Sequence, residues 1–399
     1  MRLRPDWAER VQQRLDHYLS PHASAPVTLG VSGGGDSMAL MHVAADWTRR
    51  RKRRLVVLSL DHGLSPHGPA WNDQVARAAT ALGLDWLGLS WEGAKPHSGL
   101  AEAARQARHA LLAEAARAGG AKVILLGHTL DDLAEADWMR ARGTPLGQMQ
   151  VWSPSPAWPE GRGLMLLRPM LDVRREALRA WLQTEGISWV DDPANADLRF
   201  QRSRARAAQP SRTAMVDRRR PSLDLEVDTE TGVIRGRITT PWLGQALASA
   251  AGRAGIPSSS AVERLRHRLV TGASAGVLNG ARVQAQAGGL TITRERGREG
   301  PPTQSLVPGD VQVWDGRFAF EAAEPGWSVG PAGGHRARLS RQDRIWLGQL
   351  PAPARPYHPV LFRDGDPCPV LAHPTVKASC LVPDRLRLAT GQAKMEDDL

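Results

Sequence analysis

The chain has 399 residues, too many for one ordinary hydrophobic core, so two or three domains are expected. Apolar residues at 42% and charged residues at 23% are the balance of a soluble globular protein, and no stretch approaches the roughly 18 uninterrupted apolar residues of a membrane helix. Lys and Arg number 52 against 41 Asp and Glu, a net charge of +11. The excess gathers in runs: RRRKRR at 49–54, RFQRSRAR at 199–206, RRR at 218–220, RLRHR at 264–268 and RERGR at 294–298. Any single run reads better as a solvated face. Several together favour a polyanion partner held by phosphate contacts. The two cysteines, Cys368 and Cys380, have neither a disulfide-framework nor a zinc or redox spacing, which fits packing roles in a reducing cytoplasm.

In chain order, Trp7, Val11, Leu15 and Tyr18 have helical spacing, and Asp6, Glu9 and Asp16 among them argue against a secretory or transit leader. Short apolar runs follow at Val27–Val31, Leu55–Leu60, Trp86–Leu89 and Val123–Leu126, and all four are expected to be buried strands. Helical patterns lie between and after them at 37–50, 70–82, 100–118 and 131–141, and a further pair follows as strand Leu164–Leu167 and helix Arg174–Glu185. This alternation predicts an α/β domain with a parallel sheet and helices on both faces. Residues 207–222, rich in Arg, Ser and Pro, form the candidate linker. Beyond it a smaller α+β region is expected. It begins with a hairpin from Leu223–Val227 and Val233–Ile238. Helices at 241–254 and 259–270 and strands ARVQAQ and LTITRE follow, with a further division near 300 left open. Every motif described below ends by residue 206, so the first domain, 1–206, is expected to be self-contained.

The first strand runs directly into SGGGDS, Ser32 to Ser37, and then into a helical pattern. Gly33, Gly34 and Gly35 let backbone N–H groups approach an oxyanion, the helix N-terminus adds favourable potential, and Ser32 and Ser37 supply hydroxyl donors. Asp36 is a poor direct neighbour for phosphate but suits a site where Mg²⁺ lies between them. No Lys stands where a Walker-type loop requires one. Three further segments carry chemistry. LDHGLS at 60–65 places Asp61 at the end of the second strand, and AARQARHALL at 103–112 puts Arg105 and Arg108 on one helix face, suited to phosphate or carboxylate. GHTLDDLAEA at 127–136 puts His128 at the end of a strand and Asp132 and Glu135 on one helix face. Such a carboxylate pair can hold Mg²⁺ or an ammonium group, or be the acidic first turn of a capped helix. Ser32, Asp61 and His128 all lie just past strand carboxyl ends, the edge at which open α/β sheets bind ligands.

SGGGDS resembles the signature of PP-loop ATP pyrophosphatases, the adenine nucleotide α-hydrolase-like fold. Within that group the later motifs resemble the tRNA(Ile)-lysidine synthetase family. They include RPML at 168–171 and GISWVDDPANADLRFQRSRAR at 186–206, where Asp192, Pro193, Asn195, Arg202 and Arg206 match in kind. Thr129, Leu133 and Ala136 depart from the family pattern, as do Ser65 and His109. The resemblance covers 25–206 and implies ATP and Mg²⁺, L-lysine, and tRNA(Ile) with anticodon CAU as partners of a cytoplasmic enzyme. It further implies that Ser32 to Ser37 hold pyrophosphate, with Asp36 placing the metal. Arg108 and His128 would assist at the adenylate, Asp132 and Glu135 would orient lysine, and Arg105, Arg202 and Arg206 would meet tRNA phosphate. A PP-loop tRNA thiolase and an RNA-binding protein with a decayed ATP site stand as alternatives.

Overall fold

The apolar runs of the first half assemble into one six-stranded sheet. The computed structural model describes residues 5–144, 146–193, 197–199, 201–208, 221–286, 289–295 and 300–399. Strands β1 (Val27–Gly30), β2 (Leu55–Asp61), β3 (Asp85–Ser90), β4 (Val123–Leu126), β5 (Trp152–Pro154) and β6 (Met165–Leu167) lie in the order β3-β2-β1-β4-β6-β5. All pairings are parallel except that of the edge strand β5 with β6. Helices α1 (Asp6–Tyr18), α2 (Gly35–Arg51), α3 (Gly68–Ala81), α4 (Leu100–Ala118), α5 (Leu130–Arg140), α6 (Arg175–Thr184) and α7 (Gln201–Ala207) complete this unit. Inner strand β4 is apolar throughout and all four of its residues are buried, as expected of a strand covered on both faces.

One expectation is overturned. Trp86 and Leu87 of β3 are 37% and 45% exposed, since β3 is the outer strand of the order and lacks a partner beyond it. A hydrogen bond of 2.9 Å from Trp86 Nε1 to Ser59 Oγ ties its ring to β2.

The chain forms two compact units, Met1–Arg219 with Ala393–Leu399, and Arg220–Gln392. Segment Ala393–Leu399 packs into the first unit. Glu396 receives Nη1 and Nη2 of Arg53 at 3.0 and 2.9 Å and the backbone N–H of Ser20 at 2.9 Å, with both charged side chains at most 3% exposed. Trp152 Nε1 donates to the Ala393 carbonyl at 2.9 Å. The expectation of a self-contained domain ending near 206 did not include this segment, because one Glu far along the chain carries no local signal.

In the second unit β7 (Leu225–Val227) and β8 (Ile234–Gly236) form the expected hairpin. Helices α8 (Leu243–Ala251) and α9 (Ser259–Val270) follow, then β9 (Ala275–Leu278), β10 (Ala281–Gln286) and β11 (Gly289–Arg294). The antiparallel sheet order is β7-β8-β11-β10-β9, and Leu243, Leu247, Leu265, Val283 and Ile292 form its core. Strands β12 (Gln304–Ser305), β13 (Val311–Trp314), β14 (Phe318–Ala322) and β15 (Trp327–Pro331) come next. Helix α10 (Arg341–Gln349), β16 (Pro359–Arg363), β17 (Val376–Cys380) and α11 (Val382–Ala389) end the unit, whose later strands make two three-stranded sheets. This is the smaller α+β region. Asn195, residues 209–220 of the expected linker, and Arg296 and Arg298 lie outside the described residues. No helix among the described residues is long and apolar enough to cross a membrane.

Candidate functional site

The site is built at the carboxyl edge of the parallel sheet. Gly30 of β1 pairs with Leu126 of β4, so the two chains leave the sheet side by side, one into Ser32–Ser37 and the other into Gly127 and His128. The fit there is tight: a Cβ on Gly127 would stand 3.0 Å from the Cα of Ser37. Gly33 adopts φ +83°, a conformation glycine takes freely. The loop is held by Ser37 Oγ, which donates to the Gly34 carbonyl at 2.9 Å and accepts from the Ser32 N–H at 3.2 Å. The N–H of Val190 donates to the Gly33 carbonyl at 2.9 Å, fastening the loop to the 186–193 stretch.

Asp36 lies in the first turn of α2, on the helix that opens at Gly34. Its Oδ2 accepts from Arg175 Nε at 3.0 Å, while its Oδ1 is buried with no protein partner. Burial pushes the carboxyl up, and Arg175 offsets this only in part. An unpartnered, buried carboxylate oxygen beside a phosphate-type loop suits Mg²⁺, which binds through one or two carboxylates and keeps water and phosphate oxygens for its other positions. No group of three or more His, Cys, Asp or Glu able to hold a metal occurs among the described residues.

Helix α5 carries the second half of the site. Thr129 is its N-cap, donating its N–H at 2.7 Å and its hydroxyl at 2.9 Å to Asp132 Oδ2. The departure at Thr129 is therefore a helix cap. Asp132 and Glu135 do share a face, and both are buried. Their oxygens meet arginine. Arg175, at the start of α6, donates Nη1 to Glu135 Oε1 at 3.0 Å and Nη2 to Asp132 Oδ1 at 3.3 Å. From α7, Arg202 donates Nε to Glu135 Oε2 at 3.0 Å and Nη2 to Asp132 Oδ1, and Arg206 donates Nε to Glu135 Oε1 at 3.1 Å. Burial pushes the Asp132 carboxyl up, but Arg202 and Arg175, with the Thr129 N–H, together outweigh it and hold the group below the usual carboxylate range.

The arginines thus occupy positions that sequence reasoning did not give them. Arg202 and Arg206, expected to face phosphate, lie on the carboxylates, because buried Asp132 and Glu135 require cations within reach. Arg175, which joins Asp36 to both α5 carboxylates, was not singled out at all. Three carboxylates in two motifs imply cations near them, but nothing local marks residue 175. Arg105 is exposed on α4, and Arg108, on the same helix, has a buried Nε with no partner. Burial, then Arg105 and Arg202, push the Arg108 guanidinium down to about 10. Arg168, just past β6, is buried and donates at 2.9 Å to the Gln150 carbonyl and to Ser153 Oγ. His128 has a buried, unpartnered Nδ1, and burial holds its imidazole well below the ordinary value, hence neutral. Asp61 accepts from the Gly63 N–H at 2.8 Å at the end of β2. Both cysteines are in the second unit. Cys368 is exposed, and burial pushes the Cys380 thiol up to about 11.

Residues 7–210 match the family described as a PP-loop domain. The chain is 40% identical over 403 residues to a tRNA(Ile)-lysidine synthase of Caulobacter vibrioides, covering 97% of this chain and 98% of that one. A tRNA(Ile)-lysidine synthase of Rhizobium meliloti is 34% identical, over 81% of this chain and 77% of its own. One of Bradyrhizobium diazoefficiens is 46% identical over 48% of this chain and 53% of its own, a match confined to about half of each. With the loop, the α5 carboxylates and nearly the whole length accounted for, the chain belongs to the tRNA(Ile)-lysidine synthase family.

Proposed function

We propose that this protein converts the wobble cytidine of a tRNA(Ile) with anticodon CAU to lysidine, using ATP and L-lysine. In the first step O2 of the cytidine attacks the α-phosphorus of ATP and the bond to pyrophosphate breaks. In the second the ε-amine of lysine attacks C2 of the base, the C–O bond to AMP breaks, and the amine gives up a proton. The observation that carries this reading is that an anion-binding loop and a buried carboxylate pair meet at one sheet edge, bridged by Arg175.

Within it, Ser32 to Ser37 hold the β- and γ-phosphates through backbone N–H groups and hydroxyls, and Asp36, whose Oδ1 is unpartnered, would hold Mg²⁺. Bound there, Mg²⁺ would supply positive charge to offset that on the departing pyrophosphate. Arg108 directs its unpartnered Nε towards the adenylate phosphate. His128, neutral at working pH, can accept a hydrogen bond from the attacking amine. Asp132 and Glu135 receive the ammonium of lysine, and Arg105 meets RNA phosphate. In the second unit a groove of about 510 Å³ is lined by Arg264, His267 and Arg268 beside Leu265, Val277 and Leu278. These three basic side chains make no ion pair among the described residues, which supports a role for this unit in holding the tRNA backbone.

The test is to incubate the protein with labelled lysine, ATP and total tRNA. Label in a single tRNA species, dependent on ATP, is the expected result. ATP-independent binding of RNA without transfer of label would leave only an RNA-binding role.

A further inference from the structure

The carboxylates assigned to lysine are fully neutralised before lysine arrives. Asp36, Asp132 and Glu135 bring three negative charges, and Arg175, Arg202 and Arg206 bring three positive ones, all in direct contact. A lysine ammonium entering this cluster as it stands would add an unpaired charge to a buried site, which is strongly unfavourable. One guanidinium has to leave. The three are not equally free to do so. Arg175 is 16% exposed and is shared among all three carboxylates, whereas Arg202 and Arg206 are 45% and 33% exposed and both come from the short helix α7. The cations at the solvent side of the cluster are therefore the exchangeable ones.

We propose that Arg202 and Arg206 are resting occupants of the lysine site and that phosphates of the bound RNA draw them off, so that lysine binds tightly only once tRNA is in place. The proposal rests on the assignment of Asp132 and Glu135 to lysine made above. An arginine fork fits phosphate at least as well as carboxylate, and phosphate contact near the rim avoids the burial that the present pairs require. Each arginine thus has two alternative anionic partners, one in the protein and one on the RNA. Moving α7 from the first to the second frees the negative charge that the amine substrate needs. An aminolysis step held back in this way keeps the amine out until the base to be modified is present.

The test measures labelled L-lysine binding to the full chain by equilibrium dialysis, without ATP so that nothing turns over, with and without a tRNA(Ile) transcript. In the wild type tRNA is expected to tighten lysine binding at least about tenfold, the size of an ordinary coupling between sites. In Arg202→Ala and Arg206→Ala, lysine should bind the free protein more tightly than it binds the wild type, and tRNA should add less than about twofold. Arg206→Ala serves as the milder variant, since it removes one pair at the rim. Lysine affinity indifferent to tRNA in the wild type, or unchanged in both folded arginine variants, would overturn the proposal. Glu135→Gln is expected to abolish lysine binding under every condition. Full binding by that variant would overturn the lysine assignment itself, and is thereby told apart from failure of the exchange.

Discussion

Asp36 divides its two oxygens between different tasks. Oδ2 is committed to Arg175, and Oδ1 is buried without a partner. Replacement by Ala removes the open oxygen and also releases Arg175 from the phosphate loop. Pyrophosphate release by Asp36→Ala should fall by roughly 10²–10³-fold, the scale of losing one preorganised charge contact. Binding of tRNA should stay near the wild-type level, because no basic run is touched. Measuring pyrophosphate and filter-bound tRNA on one preparation separates the two effects, and retained turnover would remove Asp36 from the loop's function. The neighbouring Asp132 and His128 make the fold sensitive to acid. Both have folded values below their ordinary ones, 3.8 for Asp and 6.5 for His, so the unfolded chain takes up protons first as pH falls. The contribution of His128 is therefore complete above about 6.5 and declines below it, and that of Asp132 is complete above about 3.8 and declines below that. Urea unfolding across this range should show stability dropping in both windows. Asp132→Asn should flatten the lower one, and His128→Gln should shrink the upper. At this scale the sequence was informative about residue types and poor about partners. SGGGDS and the Asp132, Glu135 pair were legible because they are local patterns, whereas Arg175 joins two motifs from 40 or more residues away and has no pattern of its own.

Among the elements, strand–helix alternation was enough to place the sheet, because each crossover helix leaves its own periodicity in the chain. The exposure of β3 was not legible. Trp86 and Leu87 are apolar on an outer strand, and position in the strand order is a property of the whole sheet. The approach of β4 to α2 is a sharper constraint. Gly127 faces the backbone of Ser37, and backbone cannot rotate away as a side chain can. Gly127→Ala should cost about 1–3 kcal/mol through overpacking, or push the start of α2 out of place. Either outcome raises the ATP concentration needed for half-maximal rate. Thermal melting together with ATP titration checks this, and a variant unchanged in both would show that the two elements are not in register. Thr129 illustrates the converse. Its departure from the family pattern had no evident reason in the sequence, and the structure supplies one in the cap it gives α5.

For the whole molecule, the pair of Arg53 with Glu396 matters beyond its own energy. Glu396→Ala would leave Arg53 buried without its carboxylate, a change of about 3–5 kcal/mol. The expected result is a lowered melting temperature of the first unit together with loss of ATP-dependent activity, although residue 396 lies far from the loop in sequence. Glu396→Gln, which keeps one accepting oxygen but neither the second acceptor nor the charge, should recover part of the stability. Unchanged melting in both variants would make the segment an incidental contact.

Seen along the course of synthesis, this pair sets a delay. Arg53 and Glu396 are 343 residues apart, and at translation rates of about 5–20 residues per second the anion follows its cation by on the order of 20–70 seconds. During that interval the nascent sheet exists with Arg53 and the Ser20 N–H lacking their partner. A ribosome that stalls within the second unit therefore releases a chain whose catalytic half is also unfinished. Such a fragment lacks the carboxylate that Arg53 needs and is expected to be less stable, and so more readily degraded, than the full chain.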